Sequence, residues 1–127
     1  MDQITNIKAL LQSFGALQFA VLVGSRADGS QHQDSDWDIA VFVDPVLPPI
    51  ERFNLIEQLR MASADAIGAS PDSIDMIDLH DAGLAMREQV VNHGMILVER
   101  DGAMFCRFCV RVWRELEDFY WEQQHAA

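Results

Sequence analysis

The sequence is short of basic residues and has few glycines, prolines and cysteines. Nine Lys and Arg residues stand against twenty Asp and Glu residues in a chain of 127, which gives a formal net charge of −11. A charge of this sign repels a phosphate backbone and argues against general nucleic-acid binding. The negative net charge does not exclude the binding of a single nucleotide, because metal ions held by carboxylates invert the charge locally.

The small numbers of glycine, proline and cysteine residues, and the lack of a long apolar run near the start, argue against other classes of protein. With seven glycines, four prolines and 50% hydrophobic residues, the chain reads as neither disordered nor collagen-like. Cys106 and Cys109 form a lone Cys-x-x-Cys pair without the second pair that a zinc site needs, so we expect reduced, packed thiols. No apolar run near the start approaches the roughly 20 residues of a membrane span, and polar residues interrupt any secretory signal. We therefore expect a cytoplasmic protein without membrane contact.

Hydrophobic periodicity predicts helices and strands that alternate around one sheet. Apolar residues at helical spacing predict helices over residues 4–14, 50–67, 82–92 and about 101–124. Short runs rich in branched and aromatic residues predict strands over residues 17–23, 36–43, 74–79 and 95–98. We expect an α/β fold, with a mixed sheet and flanking helices, in a single domain over residues 1–127 whose core covers about 17–98.

The polar connection between the first two predicted strands carries the residues that indicate chemistry. Gly24-Ser25 ends one strand, ten residues intervene, and Asp36-x-Asp38 opens the next. Because side chains alternate along a strand, Asp36 and Asp38 point to one face while Trp37 points to the other. Carboxylates so close together are unfavourable without a cation, and hard oxygen ligands suit Mg²⁺ or Mn²⁺. The spacing therefore predicts a divalent metal site.

Gly24 and Ser25 add a candidate phosphate site beside these carboxylates. Gly24 lets the backbone approach a ligand, and Ser25 offers a hydroxyl and an N–H at an expected helix N-terminus. Arg26 follows, where it either contacts phosphate or is a solvated turn residue. A metal site together with a phosphate cradle supplies the parts that in-line phosphoryl or nucleotidyl transfer needs.

This pattern, with Asp36-x-Asp38 running into Ile-Ala-Val-Phe-Val, resembles the signature of the DNA polymerase β-like nucleotidyltransferases. The small size is similar to that of the minimal nucleotidyltransferases (MNT) that serve as antitoxins to HEPN-domain toxins. The resemblance covers about residues 17–98 and implies the polymerase β-like fold. It implies Asp36 and Asp38 as metal ligands. One departure is Asp28, where the family often has a basic or neutral polar residue, because it adds negative charge near a triphosphate.

The family has a third carboxylate on a later strand, and residues 73–79 resemble that segment. Strand alternation puts Asp75 and Asp78 on opposite faces, so only one of them can join the metal site, and periodicity alone does not choose between them. The resemblance implies Asp75. Its implied role is to complete the metal site and to help deprotonate the acceptor hydroxyl.

The resemblance also implies the reaction and the partner. It implies a Mg²⁺-dependent enzyme that transfers a nucleoside monophosphate, AMP from ATP, to a hydroxyl of a cognate HEPN toxin, a tyrosine, and so neutralises it. The implied nucleotide-binding residues are Gly24, Ser25 and Arg26. Two alternatives stay open, namely a catalytically idle antitoxin that inhibits its toxin by binding and a nucleotidyltransferase that acts on a small molecule. The residues after 98 read as one helix, which argues against a separate pocket for a small acceptor.

The predicted C-terminal helix has a broad apolar face edged by arginines. Its apolar residues form two adjacent stripes, Phe105, Cys109, Val112, Leu116 and Phe119 in one and Cys106, Trp113 and Tyr120 in the other. This face either packs against the domain's own sheet or, together with Arg107, Arg111 and Arg114, binds a partner protein.

Overall fold

The computed structural model describes residues 2–126, in which helices flank one four-stranded sheet. The elements in chain order are α1 Gln3–Gln12, β1 Leu17–Val23, α2 Ser25–Asp28, β2 Trp37–Val43, α3 Pro49–Ile67, β3 Ile74–Asp78, α4 Leu84–His93, β4 Met95–Glu99 and α5 Gly102–His125. The predicted α/β class is confirmed, and each predicted helix and strand ends within two residues of its expected position. None of the helices in residues 2–126 has the length and apolarity that a membrane crossing requires.

The order of the strands determines which residues share an edge of the sheet. The strands lie in the order β3-β2-β1-β4, with β1 antiparallel to both neighbours and β3 parallel to β2. A parallel pair needs a crossover connection, and α3 supplies it between β2 and β3. The end of β1 and the beginnings of β2 and β3 consequently meet at one edge.

Both faces of the sheet are covered, which explains the nearly continuous apolar runs of β1 and β2. On one face, α1 and α3 pack against a core that includes Trp37, which is only 4% exposed, as the alternation predicts. On the other face, Phe19 stacks on Phe42 with ring centroids 4.9 Å apart, and Phe108 of α5 tilts against Phe19 at 5.3 Å. Val90 brings α4 to the same core.

Only the first half of α5 belongs to this core. Phe108, Cys109 and Val112 are buried, whereas every residue from 117 to 126 is exposed. Burial raises the pKa of the Cys109 thiol. Cys106 is free but exposed, so the expectation that both thiols are packed is wrong for this residue. The reason is helical geometry, because Cys106 lies on the side of α5 away from Phe108.

Arg100 ties the loop after β4 to the loop after α1. Its Nε donates to the carbonyl of Leu17 at 2.9 Å, and its Nη2 donates to the carbonyls of Gln12 at 3.0 Å and Phe14 at 2.9 Å. These carbonyls lie at the end of α1 and the start of β1. One guanidinium therefore satisfies three carbonyl acceptors between the end of α1 and the start of β1.

We expect Arg100→Ala to lower the free energy of unfolding by about 1–3 kcal/mol, because three carbonyls lose a charged donor. Urea denaturation measures the change. Lys8→Ala is the control, since Lys8 is exposed on α1 and makes no side-chain hydrogen bond within residues 2–126. Equal midpoints for the two variants would contradict this role of Arg100.

Candidate active site

Asp36, Asp38 and Asp75 lie around the edge of the sheet where β1 ends and β2 and β3 begin. Antiparallel pairing sets Val23 opposite Asp38, and parallel pairing sets Asp75 opposite Asp38 on the other side. Asp36 lies just before β2, which begins at Trp37, so it belongs to the connection between α2 and β2 and not to the strand as expected. Strand pairing thus brings Asp75 beside Asp38, which periodicity alone left open.

The electrostatics of Asp38 indicate a site suited to a cation. Partial burial raises the pKa of the Asp38 carboxyl above its ordinary value, and the negative charges of Asp75 and Asp36 raise it further. A cation beside these oxygens would reverse the repulsion. The ionised form of Asp38 is therefore unfavourable in the protein alone and becomes favourable when positive charge is supplied.

The donor set fits a metal ion that arrives with a nucleotide. Within residues 2–126, no three His, Cys, Asp or Glu side chains are grouped closely enough to form a ready-made metal cage. Magnesium in proteins is often held by one or two carboxylates, with phosphate oxygens and water completing its shell. Asp38 with Asp36 or Asp75 matches that kind of site.

Gly24 is held in a conformation that only glycine tolerates, directly against Asp38. Its backbone has φ +77° and ψ −159°. A Cβ at this position would lie 2.6 Å from Asp38 Oδ2. The backbone conformation therefore requires glycine here, and a Cβ would in addition displace the Asp38 carboxylate. The missing side chain leaves the main chain open beside the carboxylate, where a ligand can approach.

Ser25 begins α2, as the sequence predicts, although this helix has only four residues. The amides of Ala27 and Asp28 donate to the carbonyl of Gly24 at 3.0 and 3.2 Å, which closes the turn. The first N–H groups of a helix have no acceptor within it. The Ser25 end of α2 therefore offers donors to an anion beside Gly24 and Asp38.

Arg26 holds the connection between α2 and β2 in place. Its Nε and Nη2 donate to the carbonyl of Ser35 at 3.1 and 2.8 Å, and its guanidinium lies 4.2 Å from the ring centroid of Trp37. Arg26 is thus not a solvated turn residue, and its contact with a nucleotide stays a prediction. Asp28 is bound within the same connection, where hydrogen bonds from the hydroxyl and amide of Ser30 lower the pKa of its carboxyl.

Asp78 is engaged elsewhere, on the face covered by α3. Its Oδ2 accepts a hydrogen bond from Nε of Arg52 at 2.7 Å, and its Oδ1 accepts one from the amide of His80 at 2.9 Å. Sequence reasoning did not find Arg52, because nothing in the local pattern of α3 shows that this residue reaches β3. The two late aspartates therefore have separate environments, Asp75 beside Asp38 and Asp78 in an ion pair.

The sequence matches a family model and two curated relatives. A model described as "Polymerase beta, Nucleotidyltransferase" matches residues 5–103. The protein adenylyltransferase MntA of Shewanella oneidensis is 31% identical over 113 residues, which are 87% of this chain and 76% of that protein. The protein adenylyltransferase MntA of Aphanizomenon flos-aquae is 32% identical over 111 residues, 81% of this chain and 71% of that protein.

Solved structures of toxin–antitoxin complexes share the fold. A crystal structure of a toxin-antitoxin with AMP-PNP gives a TM-score of 0.71 at 30% identity, covering 95% of this chain and 92% of that chain. A structure of the tri-AMPylated Shewanella oneidensis HEPN toxin in complex with an MNT antitoxin gives 0.65 at 27% identity, covering 96% and 90%. Because such coverage cannot omit a helix of 24 residues, α5 is part of the shared fold.

The raised pKa of Asp38 makes stability depend on pH. The folded protein binds a proton at Asp38 more tightly than the unfolded chain does, so stability falls as pH rises from the ordinary Asp value of 3.8 through the raised value. We therefore expect Asp38→Asn to raise the melting temperature at neutral pH without metal. The gain should shrink as pH is lowered through this window.

Thermal denaturation across a pH series measures this effect. Asp34→Asn is the control, because Asp34 is an exposed carboxylate in the same connection. A gain for Asp38→Asn that is constant with pH, or equal to that of Asp34→Asn, would show that the ionised Asp38 is not destabilising.

Proposed function

Because the chain belongs to the polymerase β nucleotidyltransferase family, we propose that it transfers AMP from ATP to a hydroxyl of a HEPN toxin and so neutralises that toxin. The support from relatives is direct, since both curated relatives are protein adenylyltransferases and one related complex contains a tri-AMPylated HEPN toxin. The observation that carries the proposal is the pairing of Asp38 with Asp75 beside the open backbone of Gly24. The acceptor is a tyrosine in this proposal.

Each element at this edge of the sheet has a task in the transfer. Asp36 and Asp38 would hold Mg²⁺ or Mn²⁺ with their carboxylate oxygens. An ion bound there would supply positive charge that neutralises the triphosphate. Gly24 and Ser25 hold phosphate oxygens of the leaving pyrophosphate with main-chain donors. Arg26 keeps the connection that carries Asp36 in its place, through Ser35.

Asp75 acts on the acceptor in this proposal. Its carboxylate is exposed, so a hydroxyl on another protein can reach it. As the acceptor oxygen bonds to the α-phosphorus, the bond from that phosphorus to the pyrophosphate oxygen breaks, and the hydroxyl proton passes to Asp75. The products are an AMP ester on the acceptor and pyrophosphate.

The negative charge of Asp28 favours a second candidate function, that of an antitoxin that inhibits its toxin by binding alone. Its charge lies three residues after Ser25, near the proposed triphosphate site. The hydrogen bonds from Ser30 turn this carboxylate toward its own loop, however, which reduces the repulsion. Transfer therefore remains the function that the geometry supports better.

Intact-mass measurement of a co-expressed HEPN toxin separates the two candidates. We expect the wild-type protein to add one or more AMP units, and the variant carrying Asp36→Asn and Asp38→Asn to add none, because it cannot hold the metal. Asp34→Asn should label the toxin like the wild type. An unmodified toxin that is nevertheless neutralised by the wild type would establish the binding-only function.

A second experiment tests the assignment of Asp75. We expect Asp75→Ala to lower the transfer rate by about 10²-fold or more with little change in melting temperature. Asp78→Ala should do the opposite, keeping the rate and lowering the melting temperature, because Arg52 loses its partner. Single-turnover rates and thermal denaturation of both variants measure this, and the reverse ranking would move the role to Asp78.

A further inference from the structure

The arginines of this acidic chain fall into two groups that differ in their contacts. Five of its arginines bind groups within the protein. They are Arg26, Arg52, Arg60, Arg87 and Arg100. The three others, Arg107, Arg111 and Arg114, make no ion pair or side-chain hydrogen bond within residues 2–126, and all three are exposed. We refer to these three residues of α5 as the basic ridge.

The basic ridge is one continuous stripe of α5. Its members follow at intervals of four and three residues, which places them on one side of the helix. The last member follows the first by seven positions, which is a rise of about 10 Å along the helix. Like charges at this spacing repel one another, so the ridge by itself disfavours the helix that carries it. Negative charge supplied from outside would relieve that repulsion.

A cleft of about 560 Å³ adjoins the ridge on the side of the sheet. Its floor is apolar and includes Phe42 and Phe108, and its walls carry Arg107, Arg111 and Arg87. Arg87 Nη1 donates to Glu115 Oε2 at 2.6 Å, which neutralises the carboxylate in the cleft. The cleft is therefore preformed, with positive charge at its rim and apolar surface beneath.

A second depression lies beside the same arginines. It has a volume of about 410 Å³ and is lined by Cys106 and Val110 together with the ridge. Arg107 and Arg111 border both depressions. The shape is a charged ridge between two hollows that both expose some apolar surface, which suits a chain segment better than a single small anion.

Two aromatic residues of α5 make contacts within the protein, whereas Phe119, Tyr120 and Trp121 are exposed. Phe105 packs edge-on against Phe19, with centroids 5.0 Å apart. Trp113 Nε1 donates to Asn92 Oδ1 at 3.2 Å, which links α5 to α4. The ridge, by contrast, has no such internal contact within the described residues.

We propose that the basic ridge and its cleft dock an acidic segment of the protein acceptor. This inference rests on the proposed function, which supplies a protein acceptor but does not say where it binds. Carboxylates spaced along a segment match three guanidiniums spread over about 10 Å, whereas one phosphate group would meet only part of them. Neighbouring apolar side chains of the segment fill the two hollows.

The position of the ridge suits delivery of a hydroxyl to the carboxylates. Phe42, on the floor of the cleft, and Asp38 point to the same face of β2, four residues apart or about 13 Å along the strand. Ala40, which lies between them, is buried under the helices of this face, so an acceptor anchored at the ridge passes over those helices to reach Asp38 and Asp75. Anchoring of this kind supplies the orientation that a small catalytic domain lacks.

The test compares Arg111→Glu with Lys8→Glu, which change the net charge equally. Arg111 borders both hollows, whereas Lys8 is exposed on α1. We expect Arg111→Glu to weaken the binding of purified HEPN toxin about tenfold or more at low salt, and the loss to shrink at high salt. Lys8→Glu should bind as the wild type does, and Arg111→Lys should keep most of the affinity. Calorimetric titration with ATP should be unchanged in all variants.

The outcomes distinguish this inference from the proposed function. Unchanged toxin affinity in a folded Arg111→Glu variant, with toxin still labelled by the wild type, would overturn the docking site alone. Equal weakening by Lys8→Glu would overturn it too, since overall charge would then explain the effect. Displacement of the toxin by millimolar inorganic phosphate, without a matching effect of sodium chloride, would assign the ridge to a small anion. A wild type that binds the toxin through Arg111 but never labels it would overturn transfer and support docking.

Discussion

Repulsion among carboxylates at one edge of the sheet is the constraint on which the rest of the site depends. Asp38 is partly desolvated and lies near Asp75 and Asp36, so its ionised form is unfavourable until positive charge arrives. Folding supplies the energy that holds these groups together, through two strand pairings that the apolar faces of β1 and β2 enforce. The packed sheet thus holds carboxylates at an edge where a cation is favoured.

The sheet contains both parallel and antiparallel strand pairs, and this mixed pairing brings residues that are distant in the sequence to one site. Antiparallel pairing brings the end of β1 to the start of β2, and the parallel strand β3 begins at the same edge because α3 carries the chain back along its face. An antiparallel β3 would bring its far end to that edge instead. The crossover is therefore as important to the chemistry as the carboxylates themselves.

Most of the fold was predictable, because apolar periodicity records which faces are buried. The motif from Gly24 to Asp38 could also be recognised in the sequence, because its residues lie close to one another along the chain. Asp75 needed the register of β3 against β2, and Arg52 needed the packing of α3 on β3, neither of which leaves a trace in neighbouring residues. The exposure of Cys106 was missed for a similar reason, because only the packing of α5 on the sheet decides that Cys109, three residues later, is buried and Cys106 is not.

The contact between Gly24 and Asp38 also makes the protein easy to convert into a decoy. Any side chain at Gly24 meets Asp38 Oδ2 at this edge of the sheet, whereas α5, which carries the basic ridge, packs on the sheet through Phe108 and Val112. Under the proposed function, a single substitution there would silence the transfer and leave the basic ridge unchanged. On that proposal, versions of the chain that transfer AMP and versions that only bind the partner are separated by one substitution, and neither requires a different fold.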